Sequence, residues 1–214
     1  MSFIAGNYDL NGNATMMFDS IAIGNDCSGG NLKCAHYHDN DFGDIYIGFS
    51  GVASECELML QHFVRTGIDY NLPKYLLIKE VNTWADNFFS EYNLLFDDCS
   101  FIVLVNNRFI NFRFFNKDLP YDIYVTDAKD FNKNTIAIGA GLDTYFQFTK
   151  LIENTKYMDS ISFEEIFNLI TTKNIKTSFP TYKIDPSSNE CIVYKTMNDS
   201  GTTFDLDKFK FIEL

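Results

Sequence analysis

Ser2 is the first residue whose chemistry stands out. It follows Met1, and initiator Met is commonly trimmed before a residue this small. Trimming leaves a hydroxyl and a free α-amine on one residue, a nucleophile with its own base. An α-amine has a pKa near 8, so it can take a proton near neutrality. An ordinary protein start accounts for the same two residues, so Ser2 by itself decides nothing. Two further groups have chemical content. His36 and His38 are two apart on a strand-like stretch and share a face, with Asp39 and Asp41 close behind. They lack closed zinc spacing, and a polar hairpin tip accounts for them. Asp39 to Asp44 faintly suggests a calcium loop but lacks the distal bidentate Glu. Neither group leads us to expect a metal or a cofactor.

The elements that must position Ser2 follow from periodicity. Residues 2–8 read as a strand, Asp9-Leu10-Asn11-Gly12-Asn13 as a turn, and Ala14 to Asp19 as the returning strand. Asn-Gly is the strongest short hairpin signal. The chain therefore opens on a hairpin that brings its first residues near Asp19. Ser20 to Leu32 reads as loop, Lys33 to Tyr37 as a short strand, His38 to Asp44 as a turn and Ile45 to Ser50 as a strand ending at Gly51.

The period then changes. Apolar residues from Val52 to Val64 fit a helix to about Arg65, with Ser54 and Glu57 at capping-box spacing. A stronger helix is expected over 74–95, where Leu77, Val81, Trp84, Ala85, Phe88, Tyr92 and Leu95 form one apolar stripe. Strands follow at 101–105, 108–115 and 122–125, and 135–141 reads as a strand into a glycine turn. Helices are expected at 143–154 and after Ser162, which has Glu165 at N3 and Ile161 and Ile166 as a staple. The end reads as β near 178–184, 190–196 and 208–213. The Phe-rich strand 109–115 has aromatics on both faces, which suits a buried strand or an interface.

Helices come in pairs between runs of hairpin-forming strands, so a doubly wound parallel sheet is not expected. Two antiparallel sheets face to face, each covered outside by a helix pair, satisfy the pattern. The expected fold is α+β, a four-layer α-β-β-α sandwich in one domain over 1–214.

Bulk properties bound the function. The chain has 214 residues with 46% hydrophobic and 21% charged, ordinary for a globular domain. Its 22 Phe and 12 Tyr make much of the core aromatic. A net charge of −12 argues against nucleic acid or an anionic membrane as partner through a general basic surface. The five Cys, at 27, 34, 56, 99 and 191, form no C-x-x-C, and no secretory signal is apparent, so free thiols in the cytoplasm are expected. No apolar run reaches the roughly 18 residues of a membrane span.

In this order of elements the chain resembles the proteasome β-subunit and HslV peptidase family of N-terminal-nucleophile hydrolases. The resemblance rests on a removable Met before a hydroxyl residue, Phe18-Asp19-Ser20 at the family's Asp-Ser/Gly turn, Ile47-Gly48-Phe49-Ser50-Gly51 before a helix, and Ala137-Ile138-Gly139-Ala140-Gly141 before another. It spans most of 1–184; residues 185–214 are extra. It implies Ser2 as nucleophile, where the family mostly has Thr, with the amine of Ser2 as base. It implies Lys33 beside Ser2, Asp19 holding Lys33, and a backbone N–H at Gly51 for the oxyanion. It also implies a polypeptide substrate and a homo-oligomeric ring, with an ATP-dependent unfoldase as a candidate partner; ring assembly favours the interface reading of 109–115. Departures are present. Asp19 comes one residue late, Lys33 falls about two residues early relative to Asp19, and Phe3 is bulkier than the usual residue. Ala140 replaces a Ser, and Asn174 falls where a late supporting Asp is expected. A non-catalytic subunit of the same fold and a small-molecule amidase are the competing readings. All three turn on the Met1–Ser2 bond, because an uncut bond leaves Ser2 without a free amine.

Overall fold

A computed structural model of the chain describes residues 3–9, 11–20, 32–92, 99–114, 122–127, 135–139, 162–172, 180–195 and 199–212, with backbone only for 122–127. Phe3–Tyr8 (β1) and Ala14–Asp19 (β2) form the opening hairpin, with Ala5 across from Met17. Its turn is closed by Asp9, whose Oδ1 accepts from the backbone N–H groups of Asn11 and Asn13. Gly12 supplies the positive φ of 81° that the turn requires.

Cys34–Asp39 (β3) and Gly43–Ser50 (β4) form the second hairpin. Its turn is shorter than the sequence reading, because pairing runs on to His38 with Asp44 and Asp39 with Gly43. Ala53–Thr66 (α1) and Lys74–Tyr92 (α2) come next. The capping box expected from Ser54 and Glu57 is absent. The N-cap is Val52, two residues before Ser54, the helix starts at Ala53, and no side chain caps it. Ser54 is thus already inside the first turn and cannot act as the cap.

Cys99–Val105 (β5), Arg108–Phe114 (β6), Asp122–Asp127 (β7) and Thr135–Gly139 (β8) follow. The helix expected at 143–154 lies outside the described residues. Phe163–Ile170 (α3) starts with the expected capping box: Ser162 Oγ accepts from Glu165 N, and Glu165 Oε2 accepts from Ser162 N. Ile161 of the staple lies outside the described residues.

Thr181–Asp185 (β9), Glu190–Tyr194 (β10) and Thr202–Asp205 (β11) end the strands. The last strand was expected at 208–213 and lies at 202–205. Gly201, at φ 80°, turns the chain so that Thr202 meets Val193. The later residues cross over instead. Phe209 and Phe211 pack on Tyr182, His36 and Tyr46, and Ile212 bridges Ala35 in the other sheet.

Among the described residues the strands form two sheets, ordered β11-β10-β9-β2-β1-β8 and β3-β4-β5-β6-β7, with antiparallel ladders throughout. Alternation sorts the strand side chains. Ile4, Met16, Phe18 and Ile138 share a buried cluster with Tyr46, Ile102, Leu104 and Phe109 of the second sheet. Phe3, Ala5, Met17 and Ala137 face the other way, onto Phe167 and Ile170 of α3. The second sheet turns Ile47, Phe101, Val103, Phe112 and Phe114 toward α1 and α2, where Phe63 and Trp84 stack at 3.9 Å. The interface reading of the Phe-rich strand is overturned. Phe109, Phe112 and Phe114 are buried within the chain, one against the other sheet and two beneath the helices; the energetics of aromatic burial account for their being there.

The two sheets approach closely at two glycines. A Cβ on Gly6 would lie 2.6 Å from the Phe109 ring, and one on Gly48 would lie 2.8 Å from Ile4 Cγ2.

Candidate active site

The β1–β2 register is the starting point. Ile4 pairs with Phe18, so the next rung sets Phe3 against Asp19. There the Asp19 carboxylate takes over from the ladder. Its Oδ2 accepts from the Phe3 backbone N–H at 2.9 Å. Its Oδ1 accepts from Lys33 Nζ at 2.6 Å. Asp19 has no exposed surface and Lys33 is 5% exposed. One carboxylate therefore anchors the start of β1 and a buried ammonium together. A charge-assisted hydrogen bond of this length is a strong one, and a buried charge requires such a partner.

Neighbouring contacts set the carboxylate in place. Ser20 Oγ donates to the Pro180 carbonyl at 2.7 Å, and Asp19 pairs with Thr181 in the β2–β9 ladder. Burial lowers the Lys33 pKa below the ordinary lysine value, and the Asp19 charge and hydrogen bond pull it back upward.

The backbone of Lys33 reaches the second sheet. Its carbonyl accepts from Phe49 N at 3.0 Å. Phe49 is two residues before Gly51, which follows β4 at φ 149°, exposed, just ahead of α1. Lys33 thus links the opening hairpin, through its side chain, to the strand leading into Gly51, through its backbone. Ser2, Met1, Ala140 and Asn174 lie outside the described residues.

The sequence reading did not anticipate the Phe3 amide as a partner for Asp19. The signal was present, since an antiparallel hairpin closed at Asp9–Asn13 sets residue 3 against residue 19 by count alone.

His36 Nε2 and His38 Nδ1 both reach Asp44 Oδ1, at 3.1 and 2.9 Å. The His36 ring also stacks on Tyr46. These contacts hold the Asp44 carboxyl below its usual pKa, with the His38 hydrogen bond the largest cause and partial burial opposing it. Asp39 Oδ1 accepts from the N–H groups of Asp41 and Phe42 and so caps its own turn. Among the described residues no cluster of His, Cys, Asp and Glu side chains is placed to hold a metal ion. No described helix is long and apolar enough to cross a membrane.

Two antiparallel sheets meet across one apolar cluster, and the chain has the proteasome- and HslV-like fold. The similarity appears in structure, while no protein-family model and no curated protein matches the sequence. Eukaryotic HslV from Trypanosoma brucei superposes with a TM-score of 0.56 at 14% identity, over 86% of this chain and 99% of that one. Thiobacillus denitrificans BPH, in complex with epoxomicin, gives 0.57 at 11% identity over 85% and 96%. Anbu, the ancestral beta-subunit, from Yersinia bercovieri gives 0.54 at 10% identity over 95% and 86%. A Pseudomonas aeruginosa Anbu complex was solved as a helical assembly.

Proposed function

We propose that this protein is a proteasome/HslV-like peptidase whose nucleophile is Ser2, exposed by removal of Met1. The observation that carries the reading is the shared carboxylate: Asp19 holds both the Phe3 amide, one peptide bond from Ser2, and the buried Lys33 ammonium. The four-layer α-β-β-α arrangement of that family is the one the three apolar clusters support.

In this mechanism Ser2 Oγ attacks a substrate peptide carbonyl. The freed α-amine of Ser2 takes the hydroxyl proton through a water. Lys33, held charged by Asp19, favours the deprotonated oxygen electrostatically. The N–H at Gly51 donates to the oxyanion of the tetrahedral intermediate. Collapse expels the leaving amine, which receives the proton, and leaves an acyl ester on Ser2. Water then hydrolyses the ester by the reverse proton path.

The chain acts as a homo-oligomer on polypeptide substrates, and the cytoplasm suits its free thiols. An ATP-dependent unfoldase is the partner such a peptidase calls for. Intact-mass analysis of the native protein tests the reading, together with an epoxomicin-class electrophile. A mass lacking Met1 and an adduct on Ser2 are expected. A retained Met1 with no adduct sinks it.

Two residues favour a second reading, a non-catalytic subunit of the same fold. Ala140 stands where the family has Ser, and Asn174 where it has a late Asp. Peptide hydrolysis by the wild type that is lost in Ser2→Ala excludes this reading.

A further inference from the structure

Cys56 and Cys99 are separated by 43 positions in the chain, and their sulfurs lie 3.7 Å apart. Neither residue exposes any surface. Cys56 sits in the first turns of α1, and Cys99 opens β5. The β4–β5 ladder pairs Ser50 with Ser100, so its next rung runs between Gly51 and Cys99. The Cys56 thiol donates to Cys99 Sγ, and the Cys99 thiol lies 3.7 Å from Glu55 Oε2.

Buried thiols commonly pack as small apolar groups. Two features set this pair apart. The sulfurs touch each other directly, so bond formation requires a closing movement of under 2 Å to the S–S length of about 2.05 Å. The helix that carries Cys56 also begins without a side-chain cap, with Val52, Ala53 and Ser54 exposed. An uncapped first turn opens at low cost, which gives an oxidant a way in.

We propose that Cys56 and Cys99 form a reversible disulfide that fastens the first turns of α1 to the head of β5, beside Gly51. The oxidant is a low-molecular-weight disulfide of the glutathione class. One cysteine loses its proton to water and attacks a sulfur of the oxidant, releasing one small thiol and leaving a mixed disulfide. The second cysteine, also deprotonated, attacks the protein sulfur of that mixed disulfide and releases the second small thiol. Two protein thiols are oxidised and one small disulfide is reduced to two thiols. The hydrogen bond from Cys56 to Cys99, with burial, pushes the Cys56 thiol far above its usual pKa. The inference stands apart from the Ser2 mechanism and survives its failure.

The test is oxidation of the full-length protein with oxidised glutathione, followed by peptide-mapped mass spectrometry and thermal unfolding. The expected product is 2 Da lighter and carries a Cys56–Cys99 linked peptide. Closing a loop of this size raises Tm by roughly 5–10 °C, and dithiothreitol reverses both changes. Cys56→Ser abolishes both. If that variant does not fold, Cys99→Ser and the wild-type peptide map decide. A map in which Cys27, Cys34 or Cys191 is modified while 56 and 99 remain thiols overturns the proposal. So does a stable glutathione adduct on Cys56 or Cys99, or no mass change at all.

Discussion

Lys33 Nζ meets Asp19 Oδ1 at 2.6 Å, with side chains 7% and 0% exposed. The other oxygen of the same carboxylate holds the Phe3 amide. Asp19→Asn keeps the shape but takes the Asp19 charge away from the buried ammonium. It is expected to cost about 3–5 kcal/mol, the usual penalty for stranding one partner of a buried pair. Urea unfolding measures it. The double variant Asp19→Asn/Lys33→Met should lose less than Asp19→Asn alone, because it removes the stranded charge. Equal losses would contradict this account of the pair.

Ser2→Ala, made in protein shown to lack Met1, is expected to lower peptide hydrolysis by about 10³-fold or more, leaving only what binding and the oxyanion donor supply. Lys33→Ala should reduce kcat more than it changes KM. A fluorogenic peptide assay reports both. Full activity in Ser2→Ala would remove Ser2 from the mechanism.

Asp44 offers a pH test. Its carboxyl is held below 3.8 by the two histidines, His38 first. A depressed carboxyl contributes stability above its unfolded pKa, and that contribution is lost as pH falls through the lower folded value. The affected window therefore lies below about pH 4. His38→Ala should move the Asp44 pKa upward toward 3.8, as read by carboxyl-carbon NMR titration. An unchanged titration would show that the His38 contact does not exist in solution.

Gly6→Ala tests how closely the sheets pack. The new methyl would lie 2.6 Å from Phe109 Cε1 and Cζ. That ring cannot easily yield, because it packs edge-on to Tyr8, whose hydroxyl accepts from the Phe109 N–H. A loss of about 1–3 kcal/mol is expected from overpacking. Adding Phe109→Leu should make the pair less than additive.

Ser162→Ala removes the cap of α3 and is expected to cost about 1 kcal/mol by urea unfolding. Glu165→Ala should add a further loss, since its carboxylate accepts from the backbone N–H at position 162, which Ser162→Ala leaves in place.

What was legible in the sequence was local. The opening hairpin, α2 and the Ser162–Glu165 box each depend on residues within a few positions of one another. Local spacing also misled. Ser54 and Glu57 satisfied a capping pattern that the structure does not use, because the N-cap lies two residues earlier, at Val52. The residues of the Phe-rich strand suited core or interface, because alternation gives the two faces of a strand but not what lies against them, and the resemblance favoured the interface.

By itself the sequence determined where the opening hairpin, α2 and the start of α3 form, since turn chemistry and apolar period act within one element. It also determined that residue 3 faces residue 19, because a hairpin's register follows from its turn. Only the tertiary structure decided that Lys33 points into the protein at Asp19 and that Cys56 meets Cys99. It also decided that the C-terminal segment runs across to β3. Those contacts join residues from different elements, and their positions depend on how two twisted sheets and a helix pair pack. Packing of that kind leaves no periodic trace in the chain.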